Sequence, residues 1–446
     1  MISTDGVKEL SALHSFEFKN LTLSFIRSLR DEFEMKFLIV SQLYSPDNFR
    51  INDIVEELLS RGHSVKVVTG LPDYATSKIP KEFKWFRNRR VKQPNYEVVR
   101  LPMIARRHGI FFRVLNYTSF MISGWLYLKL CRKENYDAIF SYGLSPVLQI
   151  VPAIGAKKRF HKKLVLYCLD LWPESLKAWN LEESSGIFRF MKNVSGKIYR
   201  SCDSIAVTSR PFVEYLSRVC LVPEERMSYL PQHCEDLYKE ISGVYEENGC
   251  IDFLFAGNIG AVQNVDCLIR AAAVLPPELS FRVHIVGSGS ELENCKKLAE
   301  SLHASDKVVF HGRHPVEKMA DFYRMADCFL LPLQGGNFIG QTLPAKAQGY
   351  LSAGKPILGA IEGAGAEMIA ESGCGDAVAP GDYKALAGKM TRVIERFEEY
   401  KEKGIRGRRF FEENYTKEIF FDGFMALFGG QSEEQSKINK NVQKLS

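Results

Sequence analysis

The chain has 446 residues, which is too long for one ordinary hydrophobic core and predicts two domains with appendages. With 46% hydrophobic and 25% charged residues, its composition excludes a disordered or fibrous chain. The net charge of +6 is too small an excess to imply a nucleic-acid partner, and none is expected. The ten cysteines include no Cys-x-x-Cys pair, which favours a reduced cytosolic protein over a disulfide scaffold.

The first 34 residues precede Met35, whose Met-Lys-Phe-Leu-Ile-Val-Ser run is typical of the opening strand of an α/β domain. We interpret residues 1–34 as an N-terminal extension, either an over-long start or a loosely docked helix over 16–33. Asp5 and Glu9 lie where a secretory signal is basic or apolar, so no signal peptide is expected.

From Met35 onward, short apolar runs alternate with helical patterns. Strands are predicted at 37–40, 65–69, 96–101, 138–142, 163–169 and 204–208. After a polar break near 242–250, further strands are predicted at 252–256, 281–286, 308–310, 328–332, 356–361 and 376–379. Many of these runs are apolar on both faces, which is typical of parallel sheets covered by helices. The pattern predicts an α/β fold with two Rossmann-like domains, 35–242 and 251–408, facing across a cleft.

Helical patterns separate these strands, for example at 51–61, 320–325 and 383–400. An aromatic, amphipathic stretch predicts a C-terminal helix at 409–428. Residues 429–446 are polar and are expected to form a tail without a packed core.

A basic segment lies in the first domain. Residues 81–113 contain ten Lys or Arg residues against Glu82 and Glu97, and the uncharged run 114–128 follows. This run is too short to span a bilayer, but it fits shallow insertion between cationic anchors. Anionic lipid attracts basic residues by about 1 kcal/mol each near the surface. We therefore predict a membrane-associating segment at 81–133; the alternative is a buried helix with a solvated basic face.

Two glycine-rich turns follow predicted strands of the second domain, Phe253-Leu-Phe-Ala-Gly-Asn-Ile-Gly260 and His284-Ile-Val-Gly-Ser-Gly-Ser-Glu291. Glycines allow a sharp turn and close approach of a ligand, and a following helix directs N–H groups at an anion. Either turn alone is compatible with a tight turn that binds nothing. Two such turns in one domain favour a phosphate-bearing ligand.

A third motif runs from Gln341 to Ile357. Pro344 suits the first turn of a helix, and Gly354 suits its C-terminal end. Lys346 and Gln348 would then lie near the start of this helix, where they can meet phosphate or sugar hydroxyls. The alternative is a solvated helix start with a surface lysine.

Acidic and basic side chains also follow strands of the first domain. Asp170-Leu-Trp-Pro-Glu-Ser175 comes after the strand at 163–169, so Asp170 and Glu174 should lie at the carboxyl edge of its sheet. Carboxylates accept hydrogen bonds from sugar hydroxyls, and Trp172 offers an apolar face. The alternative is that Glu174 only caps the next helix. Arg50, after the first strand, is a candidate partner for phosphate.

Taken in order, these motifs resemble the retaining family-four glycosyltransferases of GT-B fold, over about Met35 to Phe428. Within that family the chain is most similar to O-antigen and capsule transferases, including N-acetyl-L-fucosamine transferases, through the segments 48–53, 70–74, 170–175 and 343–346. The resemblance implies a nucleotide-sugar donor, a polyprenyl-pyrophosphate-linked acceptor and retention of anomeric configuration. It also implies a peripheral position on the inner face of the cytoplasmic membrane.

The chain departs from the family pattern around the donor. The family's Glu-x7-Glu pair falls on Gln341 and Gly349, and its Arg and Lys on the first glycine loop fall on Asn258 and Gln263. We therefore expect Lys346, with help from Arg210, to supply positive charge. The expected donor-binding residues are Gly257, Asn258, Gly260, Gln263, Gly287, Gly289, Arg313, Thr342, Leu343, Lys346, Gln348 and Glu367.

The expected activity is transfer of a hexosyl-type sugar from a nucleotide-sugar, UDP-linked by preference, to a lipid-linked saccharide. Asp170, Glu174, Arg50 and Lys346 are the expected catalytic residues, with Asp170 orienting the acceptor. No cofactor is expected, and the lack of an Asp-x-Asp motif or a His/Cys cluster predicts no metal. The alternatives are a sugar-nucleotide epimerase of similar fold and a catalytically silent nucleotide-binding partner.

Overall fold

The computed structural model describes residues 34–429, except 75–76, 86, 108, 180, 235–237, 239–240, 242, 246–247, 337 and 339. The expectations for residues 1–33 and for the tail beyond Gly429 lie outside the described residues. The chain divides into two compact units between Leu166 and Tyr167. This division does not test the predicted domain limits, which stay predictions.

Every strand predicted from the sequence is present, with ends that differ by at most two residues. The strands are β1 (Lys36–Ser41), β2 (Ser64–Thr69), β3 (Arg90–Lys92), β4 (Tyr96–Arg100), β5 (Ala138–Gly143), β6 (Leu164–Cys168), β7 (Ser204–Val207), β8 (Met227–Tyr229), β9 (Ile251–Ala256), β10 (Phe281–Val286), β11 (Val308–Gly312), β12 (Cys328–Pro332), β13 (Ile357–Ala360) and β14 (Gly375–Val378).

The strands form two sheets among the described residues. One has the order β3-β4-β2-β1-β5-β6-β7-β8 and the other the order β11-β10-β9-β12-β13-β14. In each sheet the chain order reverses at a central strand that pairs in parallel on both sides, β1 with β2 and β5, and β9 with β10 and β12. Ligands of open α/β sheets bind beyond the carboxyl ends of the strands at such points of reversal.

Helices cover the sheets. Those described are α1 (Ile51–Ser60), α2 (Ile110–Leu130), α3 (Val151–Phe160), α4 (Gly186–Arg200), α5 (Pro211–Arg218), α6 (Val265–Val274), α7 (Leu292–Ser301), α8 (Met319–Met325), α9 (Lys346–Ser352), α10 (Gly363–Ser372), α11 (Tyr383–Glu395), α12 (Phe397–Asn414) and α13 (Lys417–Ala426). The central strands are buried along almost their whole length, which explains their continuous apolar runs.

The sequence missed two short strands and two helix breaks. β3 pairs antiparallel with β4 and has only three residues, too few to show a period. The helix predicted at 383–400 is divided at Arg396, whose φ of −132° is not helical. The helix predicted at 409–428 is wrong as one element, because Thr416 is extended and its hydroxyl accepts the Ile419 N–H to start α13. The apolar pattern runs through both breaks and hides them.

Candidate functional site

The two glycine turns of the second sheet pack directly on each other. Gly257 N–H donates to the Val286 carbonyl over 2.9 Å, and Ile259 N–H donates to the Ser288 carbonyl over 2.9 Å. A Cβ on Gly287 would lie 1.8 Å from the Gly257 carbonyl oxygen. The glycine is therefore required for the two backbones to meet, whatever else binds there.

The first turn carries a neutral amide pair. Asn258 Nδ2 donates to Gln263 Oε1 over 3.2 Å across Gly260, and a Cβ on Gly260 would lie 2.9 Å from Asn258 Nδ2. These amides stand where the resemblance places Arg and Lys. They can bind hydroxyls and phosphate oxygens by hydrogen bonds, but they bring no charge.

Lys346 begins α9 and folds back under the first glycine turn. Its Nζ is buried, lies 3.8 Å from the centroid of the Phe255 ring, and has no hydrogen-bond partner in the described part of the chain. A Cβ on Gly257 would lie 2.8 Å from this Nζ. Burial lowers the pKa of Lys346 to about 7. A buried ammonium at the carboxyl end of β9, with no counter-ion in the described part of the chain, is suited to receive an anion.

The next residues of α9 explain one departure from the family pattern. Gly349 packs against Tyr323, whose hydroxyl would lie 3.3 Å from a Cβ at position 349. Tyr323 stacks on Tyr238 with ring centroids 4.3 Å apart. A glutamate at 349 would meet these rings. Gln348 is buried, and its Oε1 has no hydrogen-bond partner among the described residues.

Tyr350 fixes the end of β9 and was not predicted from the sequence. Its hydroxyl accepts the Ala256 N–H over 2.9 Å and donates to the Ala256 carbonyl over 3.3 Å. Ala256 directly precedes Gly257, so Tyr350 holds the strand end from which the glycine turn starts. Its ring also stacks on Phe329 at 4.2 Å.

Of the remaining predicted donor residues, Thr342 and Leu343 lie in the loop before α9. Leu343 N–H donates to Ser209 Oγ over 3.3 Å, beside Thr342, and Gln341 accepts the Ala364 N–H over 3.0 Å. By contrast, Arg313 after β11 and Glu367 on α10 have exposed side chains.

Arg210 is a weaker source of charge than the sequence suggested. Its guanidinium lies 3.8 Å from the Glu371 carboxylate and 5.3 Å from the centroid of the Tyr229 ring. Both charged side chains are about half exposed, so water screens this pair. Lys346 is the better candidate for meeting a phosphate because, among the described residues, its ammonium has no carboxylate beside it.

Glu174 is already bound by the protein. Its carboxylate accepts a hydrogen bond from the Tyr215 hydroxyl over 2.9 Å and lies 2.7 Å from Lys177 Nζ. Lys177 also contacts Glu183 over 2.6 Å. Burial and the neighbouring Glu174 raise the pKa of Tyr215, which therefore stays protonated and keeps donating. These contacts are with side chains and not with a helix end, so both the capping alternative and the catalytic role of Glu174 stay predictions.

Asp170 follows β6 as expected and is half-buried. Its carbonyl accepts from the Tyr199 hydroxyl over 3.5 Å, and that hydroxyl accepts the Trp172 N–H over 3.0 Å. Tyr199 thus fixes the backbone around Asp170. Its own pKa is raised well above the usual value by burial, which keeps the hydroxyl protonated.

In the first unit, the loop after β1 positions Arg50 at the start of α1. The Arg50 carbonyl accepts the Ile54 N–H over 3.1 Å. Asn52 holds the loop from both sides, because its amide donates to the Asp47 carbonyl over 2.9 Å and accepts the Ser45 N–H over 3.1 Å.

A buried polar network in the same unit was missed by sequence reasoning. Asp73 Oδ2 accepts the Arg106 N–H over 2.6 Å and the Asn116 amide over 2.9 Å, and Asn116 in turn accepts from Gln42 over 2.8 Å. Asp73 Oδ1 is buried without a hydrogen-bond partner among the described residues. Burial raises the pKa of Asp73 to about 6, against the effect of the Arg106 hydrogen bond and with that of nearby Asp47. The sequence feature that could have indicated Asp73 is its position shortly after the carboxyl end of β2.

The described residues contain no group of three or more His, Cys, Asp or Glu side chains placed to hold a metal ion. None of the described helices is sufficiently long and apolar to cross a membrane.

Comparison with known proteins identifies both halves. The family model for glycosyl transferases group 1 matches residues 239–410, and the model for the glycosyl transferase 4-like domain matches residues 48–233. The putative colanic acid biosynthesis glycosyl transferase WcaI of Escherichia coli is 23% identical over 350 residues, covering 72% of this chain and 82% of that protein. The N-acetyl-alpha-D-glucosaminyl L-malate synthase of Bacillus anthracis is 26% identical, covering 46% of this chain and 51% of its own length.

Solved structures share the fold. WaaG, a glycosyltransferase involved in lipopolysaccharide biosynthesis, superposes with a TM-score of 0.61 at 16% identity. The superposition covers 89% of this chain and 100% of the WaaG chain. Anabaena HepE in complex with UDP and glucose gives a TM-score of 0.63 at 14% identity, covering 88% of this chain and 98% of that chain. With its two parallel-sheet α/β domains and both family models matched, the chain belongs to the group 1 glycosyltransferases of GT-B fold.

Proposed function

We propose that this protein transfers a hexosyl-type sugar from a UDP-linked donor to a polyprenyl-pyrophosphate-linked saccharide, with retention of anomeric configuration and without metal, during synthesis of a bacterial surface polysaccharide. The N-acetyl-L-fucosamine transferase branch, with O-antigen or capsule as product, is the proposed subclass. The proposal rests on the Lys346 ammonium, which is buried beneath the Gly257 turn and has no hydrogen-bond partner among the residues that the structure describes. Relatives named for colanic acid and lipopolysaccharide biosynthesis, and a related structure holding UDP, support the choice of substrates.

The chemistry requires stabilisation of the leaving diphosphate as the anomeric bond breaks. Lys346 supplies the charge, and the Asn258–Gln263 amide pair supplies hydrogen bonds. Donor binding is assigned to residues 251–408 and acceptor binding to residues 35–242. Asp170 is assigned to the acceptor and Arg50 to a phosphate. Attack from the face of the leaving group is assisted by the leaving phosphate itself, so no strong side-chain base is assigned.

The reaction is tested by incubating the full chain with a lipid-linked saccharide and a panel of sugar nucleotides, followed by mass spectrometry of the lipid. We expect one donor to give a product, with free nucleotide appearing only when acceptor is present. Conversion of the sugar nucleotide without acceptor would identify an epimerase instead. Nucleotide binding without turnover on any acceptor would identify a catalytically silent partner. This is the second candidate function, because Gln341 and Gly349 replace the family's acidic pair.

We further propose that the segment 81–133 associates with the inner face of the cytoplasmic membrane. One face of α2 packs inward through Asn116, Tyr117, Phe120, Gly124 and Leu128. The other face exposes apolar side chains along the whole helix, from Phe111, 69% exposed, to Leu130, 75% exposed. Lys129 lies 4.7 Å from the centroid of the Trp125 ring, as expected for a cationic anchor beside an interfacial tryptophan.

Vesicle flotation tests this surface. We expect the chain to float with phosphatidylglycerol vesicles, and the Phe111→Ser/Leu130→Ser variant to remain in the dense fraction. Val274→Ser provides the control, since Val274 is 52% exposed on α6, outside the segment. Wild-type chain that fails to float with anionic vesicles would refute the membrane proposal while leaving the transferase reaction untouched.

A further inference from the structure

A recess lies at the amino ends of β1, β2 and β4, the edge of the first sheet away from the carboxyl ends where α/β proteins bind their substrates. Its volume is about 830 Å³. Strand starts provide Lys36, Lys66 and Tyr96, and the turn after α2 provides residues 131–135. The proposed glycosyl-transfer chemistry does not use this recess, although part of its lining belongs to the basic segment 81–133.

The recess is strongly cationic. Six basic side chains line it against only two carboxylates, those of Glu97 and Glu134. The six are Lys36, Lys66, Arg90, Lys92, Arg132 and Lys133.

Both carboxylates are already neutralised within the recess. Glu134 lies 2.6 Å from Lys66 Nζ and 2.8 Å from Lys36 Nζ, and Glu97 lies 2.6 Å from Arg90. The Lys66 side chain is only 4% exposed. Burial is the largest influence and disfavours its charge, but the hydrogen bond to Glu134 and the electrostatic effects of Tyr136, Tyr127 and Glu134 together outweigh burial and raise the pKa of Lys66. These ion pairs form a fixed network, which we call the floor of the recess.

Three cations on the rim remain without a carboxylate. Lys92, Arg132 and Lys133 are exposed, and none has an ion pair or a side-chain hydrogen bond within the described ranges. An open recess whose three rim cations have no ion pair among the described residues is suited to an anion with several oxygens. Lys offers such an anion a compact charge, and the planar Arg guanidinium can donate two hydrogen bonds to it. The neighbouring amides of Asn95 and Asn135 add neutral donors.

We propose that this recess binds a phosphate group, with Lys92, Arg132 and Lys133 as its principal ligands. The phosphate belongs either to an anionic phospholipid headgroup or to a free phosphate ester. The lipid source rests on the proposed membrane association, because Arg132 and Lys133 directly follow the exposed end of α2 at Leu130. The free source does not depend on it.

Hydrogen–deuterium exchange of the full chain separates these sources. The probes are inorganic pyrophosphate, phosphatidylglycerol vesicles and phosphatidylcholine vesicles, each at low salt. The test variant is Lys92→Ser/Arg132→Ser/Lys133→Ser. The control variant Lys297→Ser/Lys318→Ser/Lys384→Ser removes the same charge from exposed lysines elsewhere.

We expect slower exchange at residues 90–97 and 131–136 with an anionic probe, and an affinity at least about tenfold weaker in the test variant than in the control variant. Protection by pyrophosphate assigns a free phosphate ester, and protection by phosphatidylglycerol alone assigns the lipid headgroup. No protection by either anionic probe would overturn the proposal. So would equal protection in both variants, or equal protection by phosphatidylcholine.

The transferase proposal is judged separately by transfer to a detergent-solubilised acceptor. The recess variant is expected to keep this activity, because its substituted residues line the recess at the amino ends of the strands, whereas Asp170 and Arg50 follow the carboxyl ends of β6 and β1. Protection of the recess in a chain without any transfer activity would leave this inference standing and remove the proposed function.

Discussion

The ammonium of Lys346 lies 3.8 Å from the centroid of the Phe255 ring, and the described structure offers it no hydrogen-bond acceptor. A cation–π contact compensates only part of the cost of burying an ammonium. The free protein therefore holds this charge at a disadvantage that an arriving diphosphate removes. Several measurable consequences depend on that relationship.

Replacing Lys346 by Met is expected to stabilise the free protein by about 1 kcal/mol or more while weakening donor binding at least about tenfold. The methionine keeps the volume of the stem and removes the unpartnered charge. Chemical denaturation and titration with the sugar nucleotide measure the two effects. If Lys346 were instead a solvated surface lysine, its replacement would change neither the stability nor the donor affinity.

Lys355 provides the matched control, because it is a buried lysine whose Nζ donates to the Arg324 carbonyl over 2.6 Å and to the Ala326 carbonyl. Lys355→Met is expected to destabilise the chain by about 2 kcal/mol by leaving these carbonyls unsatisfied. If both variants were destabilised equally, the two lysines would have the same structural role and the donor assignment of Lys346 would be wrong.

Donor affinity is expected to depend on pH through Lys346. Its pKa is about 7 in the free chain against 10.5 for an ordinary lysine, so above pH 7 the amine must take up a proton before it pairs with a diphosphate. We expect affinity to weaken by up to about tenfold per pH unit above 7.

In the same window the free folded chain binds fewer protons at this group than the unfolded chain, so its contribution to the free energy of unfolding rises with pH. Calorimetric titration from pH 6 to 9 measures the donor affinity. In Lys346→Met this affinity should no longer fall as the pH rises. A slope that persists in the variant would assign the pH dependence to another group.

Gly287→Ala is expected to destabilise the protein by about 3 kcal/mol or more, because the added Cβ would lie 1.8 Å from the Gly257 carbonyl oxygen at a φ of +145°. Gly388→Ala, in α11 with nothing within 4 Å of the added Cβ, should instead stabilise by about 0.5–1 kcal/mol. Thermal unfolding of both variants measures the contrast. Similar melting temperatures would show that the two glycine turns are not packed as described.

Asp73→Asn is expected to remove a pH dependence of stability. The pKa of Asp73 is about 6 when folded and 3.8 when unperturbed, so the folded chain binds more protons at this group between these values. Its stabilising contribution is complete below pH 3.8 and is lost as pH rises through 6, amounting to about 2–3 kcal/mol.

Chemical denaturation at pH values from 3.5 to 7 should therefore show that the difference in free energy of unfolding between wild type and Asp73→Asn changes across this window. The same substitution at exposed Asp306 provides the control and should track the wild type. A pH-independent difference for Asp73→Asn would show that its carboxyl ionises normally.

The strand series was predictable because buried parallel strands leave continuous apolar runs, as in Phe37–Val40 and Phe329–Leu331. The glycine turns were also recognisable from local sequence, because a sharp turn after a strand needs residues without a Cβ. Helix breaks at Arg396 and Thr416 were not predictable, because backbone dihedrals change there without a change in the apolar pattern.

The sequence by itself determined the α/β class, the two glycine turns and the loss of the acidic pair at Gln341 and Gly349. Only the tertiary structure decided that Lys346 is buried beneath Gly257, that Tyr323 fills the space beside Gly349, and that Glu174 is held by Tyr215. Periodicity records which side of its own element a residue faces. Its partner from a distant element is set by how the elements pack, and so are its solvation and its pKa.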